Sequence, residues 1–309
     1  METHNTQSFS LMSRLLPLLL VLGLLAPVPL WARPLAIALV QMESGPDQTA
    51  NLARIHSLTA QAARQGAEII CFPELSVTGY DLAHIPERAQ PVPGPASHAL
   101  ARTAQEFKVT LLAGLAQRQG DRFYISQLVV HADGRVQTYR KTHPGKRERR
   151  VFSPGEDLPV FPVRLRDGST VTLAVAICYD LHFPELAAAF SLKGAQILFA
   201  PHASPVDAPR RLALWDRYLG ARAYDNTLFV AACNHLITQN GEIHGGGAGV
   251  WGPATAHALA RNSRVAQGIL HCELDLDALD RRRRPASKTF FLKDRRPGLY
   301  GRLEKPLSK

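Results

Sequence analysis

The sequence predicts an α/β domain with mixed sheets, running from Arg33 to about Arg284. Strand-like apolar runs alternate with segments whose apolar residues fall at helical spacing, and no linker, repeat or low-complexity stretch interrupts them. In addition, Asp133-Gly134 and Asp167-Gly168 each sit between β-rich runs. Asp-Gly supplies the positive φ angles of a tight hairpin, so antiparallel pairs join the alternation. With 46% apolar residues in a chain of 309, there is material for one large core.

The elements begin with a buried strand over Leu35 to Met42. Asn51 to Arg64 follows as a helix, with Leu52, Ile55, Leu58 and Ala62 on one face and Gly66 closing it. A strand over Glu68 to Phe72, a helix over Ser97 to Phe107 capped by Ser97, and a strand over Val109 to Leu115 come next. Ser169 to Cys178 reads as a strand, Pro184 opens a helix because its fixed φ suits a first turn, and Gln196 to Ala200 is extended again. A helix across Leu212 to Tyr224 and strands over Thr227 to Cys233, Ala256 to Ala260 and Val265 to Glu273 complete the domain.

The two ends differ from this pattern. Arg14 precedes an apolar run from Leu15 to Leu25, and Ala26, Pro27, Pro29 and Ala32 complete the outline of a secretory signal peptide over residues 1–32. The run is shorter than the ~20 apolar residues of a membrane-spanning helix. The expectation is export to the periplasm or medium, with no stable membrane insertion after signal removal; an uncleaved anchor is the alternative. Residues 285–309 form a basic, proline-containing tail. A net charge of +10 and the run Arg281 to Arg284 would suit an anionic partner, but no nucleic-acid motif accompanies them. The run reads instead as the solvated end of a helix through Leu276 to Leu279. Cys71, Cys178, Cys233 and Cys272 contain no CxxC pair, so no zinc site is expected.

Glu74, Lys141 and Cys178 share one address. Glu74 follows the strand ending at Phe72, Lys141 follows the extended chain through Tyr139, and Cys178 closes the strand from Ser169. In α/β sheets, functional groups gather beyond the carboxyl ends of strands. Each residue also has an ordinary reading: a turn carboxylate, a surface lysine in a cationic stretch reaching Arg150, and a buried thiol. Cys178, however, leads through Tyr179 and Asp180 into Pro184-Glu185 at a strand-to-helix elbow, where backbone amides can bind an oxyanion. Glu74 lies between Cys71-Phe72-Pro73 and Leu75, and desolvation there raises a carboxylate toward general-base range.

Phe72-Pro73-Glu74, Tyr139-Arg140-Lys141-Thr142-His143 and Ile177-Cys178-Tyr179-Asp180 resemble, in order and spacing, the signature blocks of the nitrilase, or carbon–nitrogen hydrolase, superfamily. The similarity extends from about Leu35 to Leu279, through Gly220 to Asn226 and the glycine turn at 245–247. It implies a nitrilase-like four-layer αββα sandwich with two mixed β-sheets, a homo-oligomer, and a catalytic triad of Glu74, Lys141 and Cys178. It also implies a second glutamate after the lysine, a position that Glu148 matches.

The Cys-Tyr-Asp block is similar to the amidase and N-carbamoyl hydrolase branches rather than to true nitrilases, which carry Cys-Trp-Glu there. The resemblance therefore implies thiol-dependent hydrolysis of a small amide or N-carbamoyl compound through a thioester, without metal or organic cofactor. Lys141 and the backbone N–H of Tyr179 would stabilise the oxyanion. His182 stands where many relatives have arginine, and Asp225 where glutamate is usual, which bears on substrate recognition. His202 is a candidate for lining the pocket, with a satisfied structural histidine as the alternative. Nitrile hydrolysis and a non-enzymatic surface-binding protein are the competing functions.

Overall fold

The computed structural model describes residues 34–255 and 257–299. The signal-peptide expectation for residues 1–32 and the tail beyond residue 299 lie outside the described residues. The chain opens with β1 (Leu35–Gln41), α1 (Gln48–Arg64), β2 (Ile69–Cys71), α2 (Ile85–Arg88), α3 (Pro95–Phe107) and β3 (Thr110–Gln119), and its three strands run parallel. β4 (Arg122–Val130) and β5 (Val136–Arg140) then fold back antiparallel.

The second half repeats the plan. β6 (Phe161–Arg164) pairs antiparallel with β7 (Thr170–Val175). Through α4 (Pro184–Leu192), β8 (Ile197–His202), α5 (Ala208–Asn226) and β9 (Phe229–Asn234), a second parallel trio forms. A hairpin of β10 (Leu236–Gln239) and β11 (Glu242–Gly245), then β12 (Ala248–Trp251), β13 (Ala258–Asn262), β14 (Gly268–Leu274) and α6 (Leu276–Arg282) follow. The two six-stranded sheets have the orders β14-β1-β2-β3-β4-β5 and β13-β12-β9-β8-β7-β6.

Alternation along the strands stacks these sheets. Ile37, Leu39, Ile69, Cys71 and Leu112 share one core with Leu173, Val175, Phe199 and Cys233 of the other sheet. Their neighbours Ala38, Val40, Ile70 and Leu111 turn to the opposite face, against Ile55 and Leu58 of α1 and Leu100 of α3. The sulfurs of Cys71 and Cys233 lie 3.8 Å apart, marking direct contact between β2 and β9 across the sheets. Phe190, Trp215 and Leu219 of α4 and α5 cover the second sheet. The arrangement is the four-layer αββα sandwich expected from the resemblance, and no helix among the described residues is long and apolar enough to cross a membrane.

Several boundaries differ from expectation for local reasons. Asp47 accepts from the backbone N–H groups of Thr49 and Ala50, so α1 starts at Gln48. Ser97 is not the cap of α3: the helix starts at Pro95 after Gly94, and Ser97 reaches back to accept from the Gly94 N–H at 2.9 Å. β10 to β12 escaped notice because glycine and polar residues break their alternation. The Arg281 to Arg284 run is only partly a solvated helix end. Arg281 and Arg284 are exposed, but Arg283 turns inward and donates to the carbonyl oxygens of Thr227 and Ala195.

His235, just before β10, is buried with neither ring nitrogen hydrogen-bonded. Burial lowers its proton affinity from 6.5 to about 4, with the Glu43 carboxylate opposing. The neutral ring is therefore favoured in the folded state, and its contribution, present above pH 6.5, is lost as pH falls toward 4. The expected loss is on the order of 3 kcal/mol across that window. Urea midpoints against pH should fall more steeply for the native protein than for His235→Phe; parallel curves would contradict this.

Candidate active site

Glu74 is carried by the segment leaving β2, which lies along β3. The Val77 N–H donates to the Gly114 carbonyl at 2.8 Å, the Gly114 N–H to Ser76 Oγ at 3.1 Å, and the Ala116 N–H to Thr78 Oγ1 at 3.0 Å. Gly114 permits this approach, since a Cβ there would meet Leu75 N at 2.4 Å. Immediately after Glu74, Leu75 takes a left-handed φ of 54°. A residue with a side chain holds such a conformation at a cost of roughly 1–3 kcal/mol, so the surrounding bonds must enforce it.

Lys141 follows β5, and its backbone is held on both sides: its N–H donates to Ile125, and its carbonyl accepts from Gly155, each at 2.8 Å. The side chain is 1% exposed. Its Nζ donates to Glu74 Oε1 at 2.8 Å and to Glu148 Oε1 at 3.0 Å, with Glu148 Oε2 also at 2.8 Å. Glu148 comes from the arginine-rich stretch, where a short 3-10 turn over Glu148–Arg150 turns it inward while Arg147, Arg149 and Arg150 stay exposed. It also accepts from the Tyr80 hydroxyl at 2.8 Å and the Gly145 N–H at 2.6 Å.

Cys178 stands beyond the strand rather than at its end. β7 stops at Val175, and Cys178 opens a 3-10 turn, Cys178–His182, with a left-handed φ of 48°. A side chain at this elbow leaves the sheet, and Cys178 keeps partial solvent exposure. The buried carboxylate of Asp180 ties the turn to the Lys141 segment. It accepts from the Ile177 N–H at 2.9 Å, the Tyr139 hydroxyl at 2.8 Å, Thr142 Oγ1 at 3.0 Å and the His143 N–H at 2.8 Å.

Electrostatics divide the labour among these groups. Burial pushes Glu74 up to about 7; Lys141 opposes this, and the Glu148 and Asp180 charges add to it. Burial also works against the Lys141 ammonium, but Glu74, Cys178 and Glu148 outweigh it, so its proton affinity ends well above the ordinary lysine range. Burial and the Glu74 charge push Cys178 up to about 12, against Lys141. The resting thiol is therefore protonated, beside a carboxylate that titrates near neutrality and a fixed cation. Such a set suits nucleophilic attack coupled to proton transfer. Among the described residues, no group of three or more His, Cys, Asp or Glu side chains could hold a metal ion.

Tyr179 follows the cysteine within the same turn. His182 is exposed, its ring 4.9 Å from that of Tyr218, and partial burial with Arg211 and Arg222 keeps it below its ordinary range. His202 is enclosed: Nδ1 donates to the Ala200 carbonyl at 2.8 Å, and Nε2 accepts from Trp215 Nε1 at 3.1 Å. Both of its ring nitrogens are thus engaged by the protein. The positions of Tyr80 against Glu148, and of Arg211 and Tyr218 near Cys178, had no local sequence signal, because each depends on which face an element turns inward.

The carbon–nitrogen hydrolase family matches residues 36–284. The chain is 28% identical over 279 residues to an omega-amidase, NIT2, of Mus musculus, covering 85% of this chain and 96% of the relative. A nitrilase of Pyrococcus abyssi is 31% identical over 274 residues, covering 86% and 99%. A solved structure of a glutamate-to-glutamine mutant of the amidase from Nesterenkonia sp. AN1 superposes with a TM-score of 0.72 at 28% identity, covering 87% of this chain and 96% of that one. It shows covalent addition of the acetamide moiety of fluoroacetamide at the active site cysteine.

Proposed function

The chain belongs to the carbon–nitrogen hydrolase family, and from that premise we propose that it hydrolyses small amides, or related N-carbamoyl compounds, through a thioester on Cys178. The observation that carries this reading is the buried Lys141 ammonium held between Glu74 and Glu148 beside the Cys178 turn. Addition of an acetamide moiety at the active site cysteine of the mutant Nesterenkonia amidase supports, by likeness, a nucleophilic sulfur at this position.

In this mechanism Glu74 Oε2, buried and without a hydrogen-bond partner, takes the Cys178 proton as sulfur attacks the amide carbon. A thiol at about 12 supplies little free thiolate, so deprotonation accompanies attack. The carbonyl π pair moves to oxygen. Two of the three Lys141 donors are bonded to carboxylates, and the third is left for the oxyanion together with the Tyr179 N–H. Such a donor is commonly worth about 3 kcal/mol of barrier. The oxyanion then collapses, the C–N bond breaks, and Glu74 returns the proton to the leaving nitrogen. Water attacks the thioester while Glu74 accepts its proton; the carboxylic acid leaves and the sulfur recovers a proton. Glu148 orients Lys141 and balances its charge. Export after removal of residues 1–32, and self-association, belong to the same proposal.

Purified protein under reducing conditions is expected to release ammonia from aliphatic amides or N-carbamoyl compounds in preference to nitriles. A coupled ammonia assay over all three classes tests this. No turnover on any of them would overturn the reading.

A further inference from the structure

Cys71 on β2 and Cys233 on β9 stand 162 positions apart in the chain, yet their sulfurs meet across the two sheets at 3.8 Å. Both side chains are fully buried. β2 lies inside its sheet, with Cys71 opposite Leu39 and Leu112, and β9 lies inside the other, with Cys233 opposite Pro201 and Ala248. The pair therefore links the middle of one sheet to the middle of the other. The remaining thiols stand apart: Cys178 belongs to the turn after β7, and Cys272 lies on β14, across β1 from β2. Beyond burial itself, the group that acts on the Cys71 thiol is Cys233.

Two thiols in contact can be plain core packing, each acting as a small apolar group. Other observations point to a bond. Among the described residues, the polar neighbours of the two sulfurs are each other and the backbone carbonyls of Cys71 and Phe72, each at 3.5 Å, so no side chain competes for either. Closing the gap to the ~2.0 Å of a disulfide asks each sulfur to move by roughly 1 Å, which side-chain rotation and small strand adjustments supply. The loop so closed is long, and a long loop is where a cross-link restricts the unfolded chain most. Burial and the neighbouring sulfur hold the Cys71 thiol well above its ordinary range. In the folded protein its thiolate is scarce and sealed from any reagent, so the bond has to form while the sheets are still coming together.

We propose that Cys71 and Cys233 are a disulfide site, closed by a small-molecule disulfide such as oxidised glutathione as the chain folds in an oxidising medium, and that the bond locks the two sheets together. One cysteine thiolate attacks oxidised glutathione, forms a mixed disulfide and expels a glutathione thiolate. The other cysteine thiolate then attacks the protein sulfur of that mixed disulfide and expels the second glutathione. The two protein thiols lose two electrons and two protons, which the two glutathione thiols carry away. Folding in a reducing medium leaves the thiols in contact and unbonded. This modification is independent of the amide chemistry at Cys178.

The test makes the full chain carrying Cys178→Ala by cell-free synthesis in reduced or in oxidised glutathione buffer, so that the nucleophile's sulfur takes no part. Free thiols are alkylated in denaturant, and the protein is digested without reductant and mapped by mass. The oxidising synthesis should give the peptide of Cys71 joined to that of Cys233, lighter by two hydrogens than the pair, and the reducing synthesis should give both singly alkylated. The bridged form should melt roughly 5–15 °C higher than the reduced form. Added reductant should leave the bridge intact until the protein is unfolded. With Cys233→Ala added, the two media should give equal midpoints. Cys71 and Cys233 alkylated singly after the oxidising synthesis, either of them joined to Cys272 instead, or no soluble protein from that synthesis, overturns the site. A bridged form that melts no higher than the reduced one overturns the lock.

Discussion

Cys178→Ala is expected to lower kcat/KM for amides by roughly 10⁴- to 10⁶-fold while leaving the fold intact. The substitution removes a single sulfur atom from a side chain at the edge of the core, so any cavity it opens is small. The turn itself is held by the backbone and by Asp180, none of which is touched. No other thiol shares these partners: Cys71 and Cys233 are fully buried between the sheets, and Cys272, partly exposed on β14, is pushed up to about 11 by burial and the Glu273 charge, with neither Glu74 nor Lys141 acting on it. Steady-state kinetics together with a thermal midpoint check this. Activity within tenfold of the native protein, at an unchanged midpoint, would contradict it.

Lys141→Met is expected to damage stability as well as activity. Its Nζ is the cation shared by two buried carboxylates at 2.8 Å, and removing it leaves both without a counter-charge. Breaking a buried pair in this way costs about 3–5 kcal/mol. The sign with pH follows from Glu74, which already binds its proton more tightly when folded, about 7 against 4.5, and would bind it more tightly still without the ammonium. A group whose folded value is raised favours the native state at low pH and loses that contribution as pH rises. The deficit of Lys141→Met should therefore be smallest near pH 5 and grow through pH 7. Adding Glu148→Gln removes one of the stranded charges, so the double variant should regain part of the stability and none of the activity. Denaturant midpoints for the native protein and both variants test this; a Lys141→Met midpoint equal to the native one would refute the shared-cation arrangement.

Much of the site was legible because its residues carry their own context. Glu74 sits in an apolar frame at the end of a strand, and Cys178 stands at an elbow flagged by Pro184. Lys141 and Glu148 were harder. Both lie in a cationic stretch that reads as surface: Lys141 was marked only by its place after the strand through Tyr139, and Glu148 by the resemblance alone, before the turn over Glu148–Arg150 was seen to turn its side chain inward. Tyr80 bonds Glu148 across 68 positions and Tyr139 bonds Asp180 across 41. Neither contact leaves a local trace, because each joins segments that only tertiary folding brings together. For the same reason the alternation of strands and helices predicted an α/β chain with mixed pairing, while the division into two stacked sheets came only with the resemblance. Each half contributes a parallel trio of similar apolar strands, and nothing within a trio marks which sheet it joins. The inward turn of Arg283 was hidden too, since a four-arginine run offers no sign that one member caps buried carbonyls.

The role given to Cys178 can be examined on the native enzyme by quenching it in acid during butyramide turnover and mapping its peptides by mass. The peptide containing Cys178 should carry the added butyryl group, and hydroxylamine should remove it, as expected of a thioester. Ammonia release with Cys178 unmodified at every quench time, and the acyl group found on another side chain, would show that the sulfur is not the attacking atom.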